Sequence, residues 1–393
     1  MHRARILVTQ GELKQTLAIV RELGRFGHVV DVLSMGRISI HGLAVAAFSK
    51  YCNKHYKVSN YKDEHIFINE VIDILKGGNY DFILPVGAPF VEWITRNKKS
   101  IGDLAAIPFP SEEKIRNFES KKFTNEFASS LGIPVPSTIY PIKIEEVDLI
   151  SKWVDYPVVI KANKEVGGNI LDYAADGKEL IEKYRAIVSK YDLQDDLPGV
   201  QEFLTGKGAG FFALYDNGKY IQGFQHLRIR EYPLSGGAST CAKSVFDEKI
   251  KEYGKRILDA YCWDGLAMVE FKYNSKGVPH FLEVNPKFWG SYDLSSVCNV
   301  NFANKLILTK MGTVFPNDEP YDKNVNFSWP FNGDIQHCYE IGTLTALFWD
   351  VFSGRVKTNF TLSDTMGSLA LLINWFYLNM FKFYARVKNQ FEK

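Results

Sequence analysis

Two carboxylates and an amide stand close together in residues 265–291, GLAMVEFKYNSKGVPHFLEVNPKFWGS. Residues 266–273 and 278–285 are mostly apolar runs, and Asn274-Ser275-Lys276-Gly277 between them has the small, polar, Gly-ending composition of a tight turn. The stretch predicts an antiparallel hairpin. Side chains alternate faces along a strand, so Glu270 is expected to share a face with Met268 and Lys272, and Glu283 with Phe281 and Asn285. A symmetric turn makes Glu270 and Glu283 near or diagonal neighbours. Carboxylates that close repel each other and raise a pKa unless a cation lies between them. Glu270, Glu283 and Asn285 together offer the hard oxygen donors that suit Mg²⁺, or Mn²⁺ in its place.

The 393 residues are too many for one ordinary core and predict two or three domains. Lys+Arg 47 against Asp+Glu 45 leaves a net charge of +2, so no global field recruits nucleic acid. Cys52, Cys241, Cys262, Cys298 and Cys338 form no C-x-x-C pair and are expected as reduced thiols. The apolar run Ile6-Leu7-Val8 stops at Thr9-Gln10-Gly11, short of a secretory signal, and a cytoplasmic location is expected. No window reaches the ~20 apolar residues of a spanning helix.

Ile6-Leu7-Val8, then Gly11, a helical pattern over 13–26 and an apolar run at 29–33 predict β-loop-α-β, the opening of a parallel sheet that binds ligands at the helix start. With a further strand at 82–87, residues 1–110 are expected as a small α/β domain. Ser111 and the acids after it predict a helix cap, and a helix from about residue 120 carries Lys121 and Lys122 before Ile133-Pro134-Val135-Pro136. Pro157 to Ala162 predicts a strand that ends near Lys161, followed by a loop holding Gly167 and Gly168. Another strand runs through Glu202-Phe203-Leu204, and Asp216-Asn217-Gly218 turns a second hairpin. Gly206-Lys207-Gly208-Ala209-Gly210 lacks the context and spacing of a dinucleotide fingerprint. Arg228 and Arg230, at i and i+2, are expected on one strand face.

In this order the pieces resemble the ATP-grasp superfamily, and within it the branch of carboxylate-amine ligases and carbamoyl phosphate synthetases. The similarity covers about residues 6–310, and its most specific element is Glu283-Val284-Asn285-Pro286 with Glu270 upstream. The resemblance implies a pre-ATP-grasp α/β domain at 1–110 and an α+β ATP-grasp domain at 111–311, its small lobe at about 120–204 and its large lobe at 205–311. The two lobes would clamp ATP. Residues 312–393 are left as a helical, aromatic-rich extension. Residue by residue, the resemblance puts Lys121 and Lys161 on the ATP phosphates, Gly167 and Gly168 in the lid above them, and Glu202, Phe203 and Leu204 at the adenine hinge. Glu270, Glu283 and Asn285 take the metal positions, and Arg228, Arg230 and Lys287 the catalytic ones, around the acceptor carboxylate and the transferring phosphoryl. Lys287 stands where relatives commonly carry arginine, keeping the charge without the bidentate fork.

The implied chemistry is activation of a carboxylate by ATP as an acyl phosphate, then attack by an amine. Bicarbonate or carbamate as the activated group is the alternative, although residues 1–393 show no biotin-carrier or glutaminase segment. A nucleotide-binding module without catalysis is the alternative of another class. Near the C-terminus, residues 327–331 and 354–359 are expected as ordered loops, and 363–391 as a helix with no charge from Thr365 to Phe381. Ser368, Asn379, Lys382, Arg386 and Gln390 form a polar stripe that leaves a wide apolar face. That face suits packing on the lobes or on a second copy in a homodimer. A membrane surface is the lesser alternative, with Lys382, Arg386 and Lys388 near headgroups and a membrane-proximal substrate such as a growing surface glycan.

Overall fold

The computed structural model describes residues 3–391 except 37, 40, 41, 60, 61, 89, 164–169 and 235, with side chains as far as 380. Four parallel strands open the chain, in the spatial order Cys52–Lys57, Val29–Ser34, Arg5–Val8 and Phe82–Leu84. Ile6, Leu7, Val8, Val30 and Val32 are fully buried, as apolar strands of a sheet covered on both sides should be. Helix Lys14–Arg25 covers one side with Leu17, Val20 and Leu23. Because the strands are parallel, the loops after Val8 and after Leu84 leave the same edge of the sheet, where such folds bind ligands.

Helices Glu112–Glu119 and Lys121–Ser130 follow, the first capped by Ser111 Oγ and the second by Ser120 Oγ. Phe118 stacks on Tyr261 and Trp263, with ring centroids 4.3 and 4.9 Å apart. Phe123 and Phe127 of the second helix also meet Tyr261, at 6.0 and 5.6 Å, so the helix expected to open the small lobe at about residue 120 packs on the hairpin side of the large sheet. A second, separate core, with Ile160, Leu180, Tyr184, Val188 and Val200, lies between helix Gly177–Tyr191 and a four-stranded antiparallel sheet. That sheet runs in the order Thr138–Ile139, Gly199–Glu202, Val158–Lys161, Leu171–Ala174.

The largest sheet has seven strands, Pro279–Asn285, Gly265–Tyr273, Gly208–Asp216, Lys219–Tyr232, Ala238–Ser244, Asn326–Ser328 and Lys357–Thr358 in spatial order. The last two come from segments expected as loops. With three residues and two, they are too short for a strand period to show in the sequence. What makes them strands is pairing: Cys241 lies opposite Ser328 and Ala242 opposite Phe327, which gives Ala238–Ser244 a partner and buries Phe327 and Trp329.

Two buried ion pairs hold the C-terminal segment to the rest. Arg230 makes a bidentate pair with the fully buried Asp334, Nε to Oδ1 and Nη2 to Oδ2 both at 2.7 Å, and Thr240 and Ser328 hydroxyls also donate to that carboxylate. Arg21 Nε donates to Asp364 Oδ2 at 2.8 Å, joined by Ser49 Oγ and Lys50 N. Burial alone would raise the Asp364 carboxyl, but Arg21 and these hydrogen bonds hold it below its ordinary value. The final helix, Thr365–Phe391, docks by its first turns: Ser368 Oγ accepts from Arg21, Asn374 Oδ1 accepts from Leu43 N, and Ala370 and Leu371 are buried.

Arg228 and Arg230 do not act as one cationic face. A β-bulge at Ile229 sets Arg228 opposite Ala242 and Arg230 opposite Cys241, and the guanidiniums part, Arg228 to Glu270 and Arg230 to Asp334. Removing one partner of a buried pair strands the other charge. Asp334→Ala should lower the unfolding free energy by about 3 kcal/mol, as measured by denaturant titration.

Candidate functional site

The hairpin at 265–285 forms around Asn274, whose Oδ1 accepts from Lys276 N and Val278 N, and Gly277, which adopts φ +73°. From that turn the pairs run Tyr273 with Pro279, Lys272 with His280, and Phe271 with Phe281. Leu282 is then skipped, and Glu270 lies directly opposite Glu283, Val269 opposite Val284, and Met268 opposite Asn285. The extra residue decides the site. In an unbroken ladder Glu283 would have followed Phe281 by two and pointed the same way, into the core, where Phe281 is fully buried against Phe271. The bulge turns Glu283 to the open face with Glu270 and Asn285, so the expected sharing of a face by Phe281 and Glu283 is corrected.

Cations from three elements converge on the two carboxylates. Lys161, the last residue of strand Val158–Lys161, brings Nζ to 3.1 Å from Glu283 Oε2. Lys121, the first residue of helix Lys121–Ser130, brings its own Nζ to 3.9 Å from the same oxygen. Arg228 Nη2 donates to Glu270 Oε2 at 2.6 Å, and Asn285 Nδ2 donates to Oε1 of both Glu270 and Glu283. Burial alone would raise the Glu283 carboxyl, but Lys161 and Lys121 overcome it and hold the group at about 2. Glu270 is raised, because burial and the neighbouring Glu283 outweigh Arg228. Glu270 in turn pushes the Arg228 guanidinium above its ordinary value.

These groups face a cavity of about 930 Å³ between the four-stranded sheet and the seven-stranded one. At one end Val159, Leu171, Tyr173, Phe203 and Phe271 line an apolar slot, with Phe203 edge-on to Tyr173 at 5.5 Å. Toward the first domain the lining changes to Gln10, Gly87, Lys287, Trp289 and His337. Arg228 Nη1 also lies 3.7 Å from Glu231 Oε2, so these three cations meet three carboxylates; Lys207, Lys272 and Lys287 against Glu202 on the same walls leave the cavity lining with an excess of positive charge. Such a site attracts an anion. Among the described residues no three His, Cys, Asp or Glu side chains cluster. Two carboxylates with an amide are nonetheless the sparse donor set that Mg²⁺ takes when phosphate oxygens and water complete its shell. Glu283 Oε2, buried and met by ion pairs without a well-formed hydrogen bond among the described residues, fits that need.

No family model matches the sequence. The chain is similar to the carbamoyl phosphate synthase large chain of Pyrococcus furiosus, 23% identical over 245 residues, which cover 59% of this chain and 22% of that protein. It thus spans about a fifth of the length of that relative. Among solved structures, biotin carboxylase from Campylobacter jejuni in a β-γ-ATP complex superposes with a TM-score of 0.66 at 16% identity, covering 82% of this chain and 74% of that one. An L-amino acid ligase from Bacillus licheniformis does so with a TM-score of 0.58 at 16% identity, covering 77% and 73%. The chain has the ATP-grasp fold.

The four-stranded and the seven-stranded sheets face each other across the cavity. Across the gap, Lys121, Lys161, Arg228, Glu270, Glu283 and Asn285 come together. Phe203 and Leu204 line the slot end of the cavity, and Glu202 beside them turns its Oε2 back to accept from Ser137 N. Lys287 lines the opposite end. Arg230 also borders the cavity, but its guanidinium is held by Asp334. Gly167 and Gly168 lie outside the described residues. The sequence reading located the loop after Ile6-Leu7-Val8 as a ligand edge without singling out Gln10, whose Oε1 accepts from Gly87 N at 2.6 Å. Nothing in the sequence pointed to His337, which arrives from helix Asp334–Glu340 with Nδ1 2.8 Å from Glu231 O.

A carboxyl held at about 2 stabilises the fold above the ordinary value of 4.5 and loses that contribution as pH falls toward 2. Glu283→Gln should therefore melt below the wild type at neutral pH, with the gap narrowing as pH drops from about 4.5 toward 2. Thermal melts of both proteins across that window check it; a gap independent of pH would remove the lysine–Glu283 pairing.

Proposed function

We propose that the chain is an ATP- and Mg²⁺-dependent ligase that activates a substrate carboxylate as an acyl phosphate and joins it to an amine. The observation that carries this reading is the meeting of Lys121 and Lys161 with Glu283 and Glu270 across the cavity, which sets two phosphate-seeking cations beside a divalent-cation donor set. Likeness to an L-amino acid ligase supports the same reading.

In this mechanism the apolar slot of Val159, Tyr173, Phe203 and Leu204 takes adenine, with backbone at Glu202–Leu204 as its polar edge. Lys121 and Lys161 turn from Glu283 toward the phosphates. Glu270, Glu283 and Asn285 would hold Mg²⁺, which would supply charge neutralisation at the phosphates. A carboxylate oxygen of the substrate attacks the γ-phosphorus and ADP leaves; the amine nitrogen then attacks the acyl carbon, phosphate leaves, and the nitrogen gives up a proton. Positioning and electrostatics carry such a transfer without a protein nucleophile. Arg228, beside Glu270, offsets charge on the transferring phosphoryl, and Lys287 with Gln10 lines the acceptor end.

A second reading, activation of bicarbonate, is supported by the likeness to a carbamoyl phosphate synthase large chain and a biotin carboxylase. Incubation with ATP, Mg²⁺ and pooled carboxylates and amines, with and without labelled bicarbonate, separates the two. The ligase reading expects ADP and phosphate formed only with an acceptor pair, and a product with the mass of their amide. Label in the product would select the second reading, and AMP with pyrophosphate would overturn both. Glu283→Ala and Lys161→Ala should each lower kcat at least about a hundredfold.

A further inference from the structure

The final helix docks on the first domain through Ser368, Ala370, Leu371 and Asn374, and its other side is left bare. Met366, Leu369, Ile373, Phe376 and Met380 are all exposed. Their spacing alternates three and four residues, which makes one straight apolar stripe along the helix. In the preceding helix, Leu344–Phe352, Phe348, Trp349 and Phe352 are exposed too, the last 84% accessible, and Leu362 between the helices is equally bare. Lone exposed apolar residues are ordinary; a row of five followed by a basic end marks a contact surface.

Charge says what covers it. Residues 341–391 carry Arg355, Lys357, Lys382, Arg386 and Lys388 against Asp350 and Asp364, and Asp364 is buried on Arg21. The protein as a whole is nearly neutral, at net +2, so this cationic excess is local. From Thr365 to Phe381 the helix has no charged residue, so the stripe lacks the flanking acid–base pairs with which two helices in water choose one another. Aromatic side chains beside a basic segment suit the boundary between headgroups and acyl chains. Among the described residues no helix is long and apolar enough to cross a membrane, so the contact lies along the surface.

We propose that residues 341–391 form an interfacial docking surface for an anionic lipid bilayer, with the stripe from Met366 to Met380 in the acyl boundary and the basic end on the headgroups. The surface is independent of the ligase reading and stands or falls separately. Flotation of the full chain with phosphatidylcholine vesicles, with and without phosphatidylglycerol, tests it. Binding to the anionic vesicles and not to the neutral ones is expected. The double variant Ile373→Glu/Phe376→Glu, whose positions are exposed, should abolish it at an unchanged Tm. Lys382→Gln/Arg386→Gln/Lys388→Gln should weaken it about a hundredfold, each basic residue near an anionic surface contributing about fivefold. Absence of flotation, or equal flotation on both vesicle types, overturns the proposal. So does a dimer that the double variant dissociates without any vesicle binding, which would assign the stripe to a second copy of the chain.

Discussion

Lys161 and Glu283 face each other at 3.1 Å between two different sheets, and the arrangement of the cavity depends on that pair. Neither group is tolerable there alone. Taking an ion out of water costs several kcal/mol, and the attraction to its partner recovers that only at close range. Lys121 and Arg228 complete the cluster, Arg228 meeting Glu231 as well as Glu270, and Lys207, Lys272 and Lys287 around it leave the cavity lining positive overall. A buried ion cluster is weak evidence for stability, since well-packed apolar residues would do as well. What it offers instead is an unfilled electrostatic demand beside about 930 Å³ of open space, and an anionic ligand with its own divalent cation meets that demand.

Single-residue irregularities in the large sheet aim the charges. Skipping Leu282 puts Glu283 across from Glu270; skipping Ile229 separates Arg228 from Arg230. Each bulge interrupts a ladder locally and in return changes which face a side chain leaves from. One arginine is thereby freed for the carboxylate cluster, while the other becomes the anchor of Asp334. The same anchor positions helix Asp334–Glu340, and with it His337 at the cavity wall. The C-terminal segment is thus part of the large sheet and of the cavity, joined to both by pairing and by buried charge rather than appended to them.

Much of this was legible in the sequence wherever a local rule suffices. The hairpin turn at Asn274 to Gly277, the serine caps at Ser111 and Ser120, and the parallel sheet beginning at Ile6 all follow from residue types at short spacing. So did the grouping of Lys121, Lys161, Glu270, Glu283 and Asn285, through resemblance of their order to a known family. Illegible were the strands at 326–328 and 357–358, which exist only because an edge needed partners, and the docking of Lys121–Ser130 on the large sheet, which rests on Phe123 and Phe127 meeting Tyr261.

Alternation along a strand is a local property, so the sequence by itself determined that two carboxylates and an amide would lie in one hairpin and that a cation would be needed among them. Register is not local. It depends on how two strands settle against a shared core, and here burial of Phe271 with Phe281 on one side and of Val269 with Val284 further along forces the ladder to skip Leu282. Only the tertiary structure could decide that Glu283 turns outward to meet Lys161, because both the bulge and the lysine's approach come from packing among residues far apart in the chain.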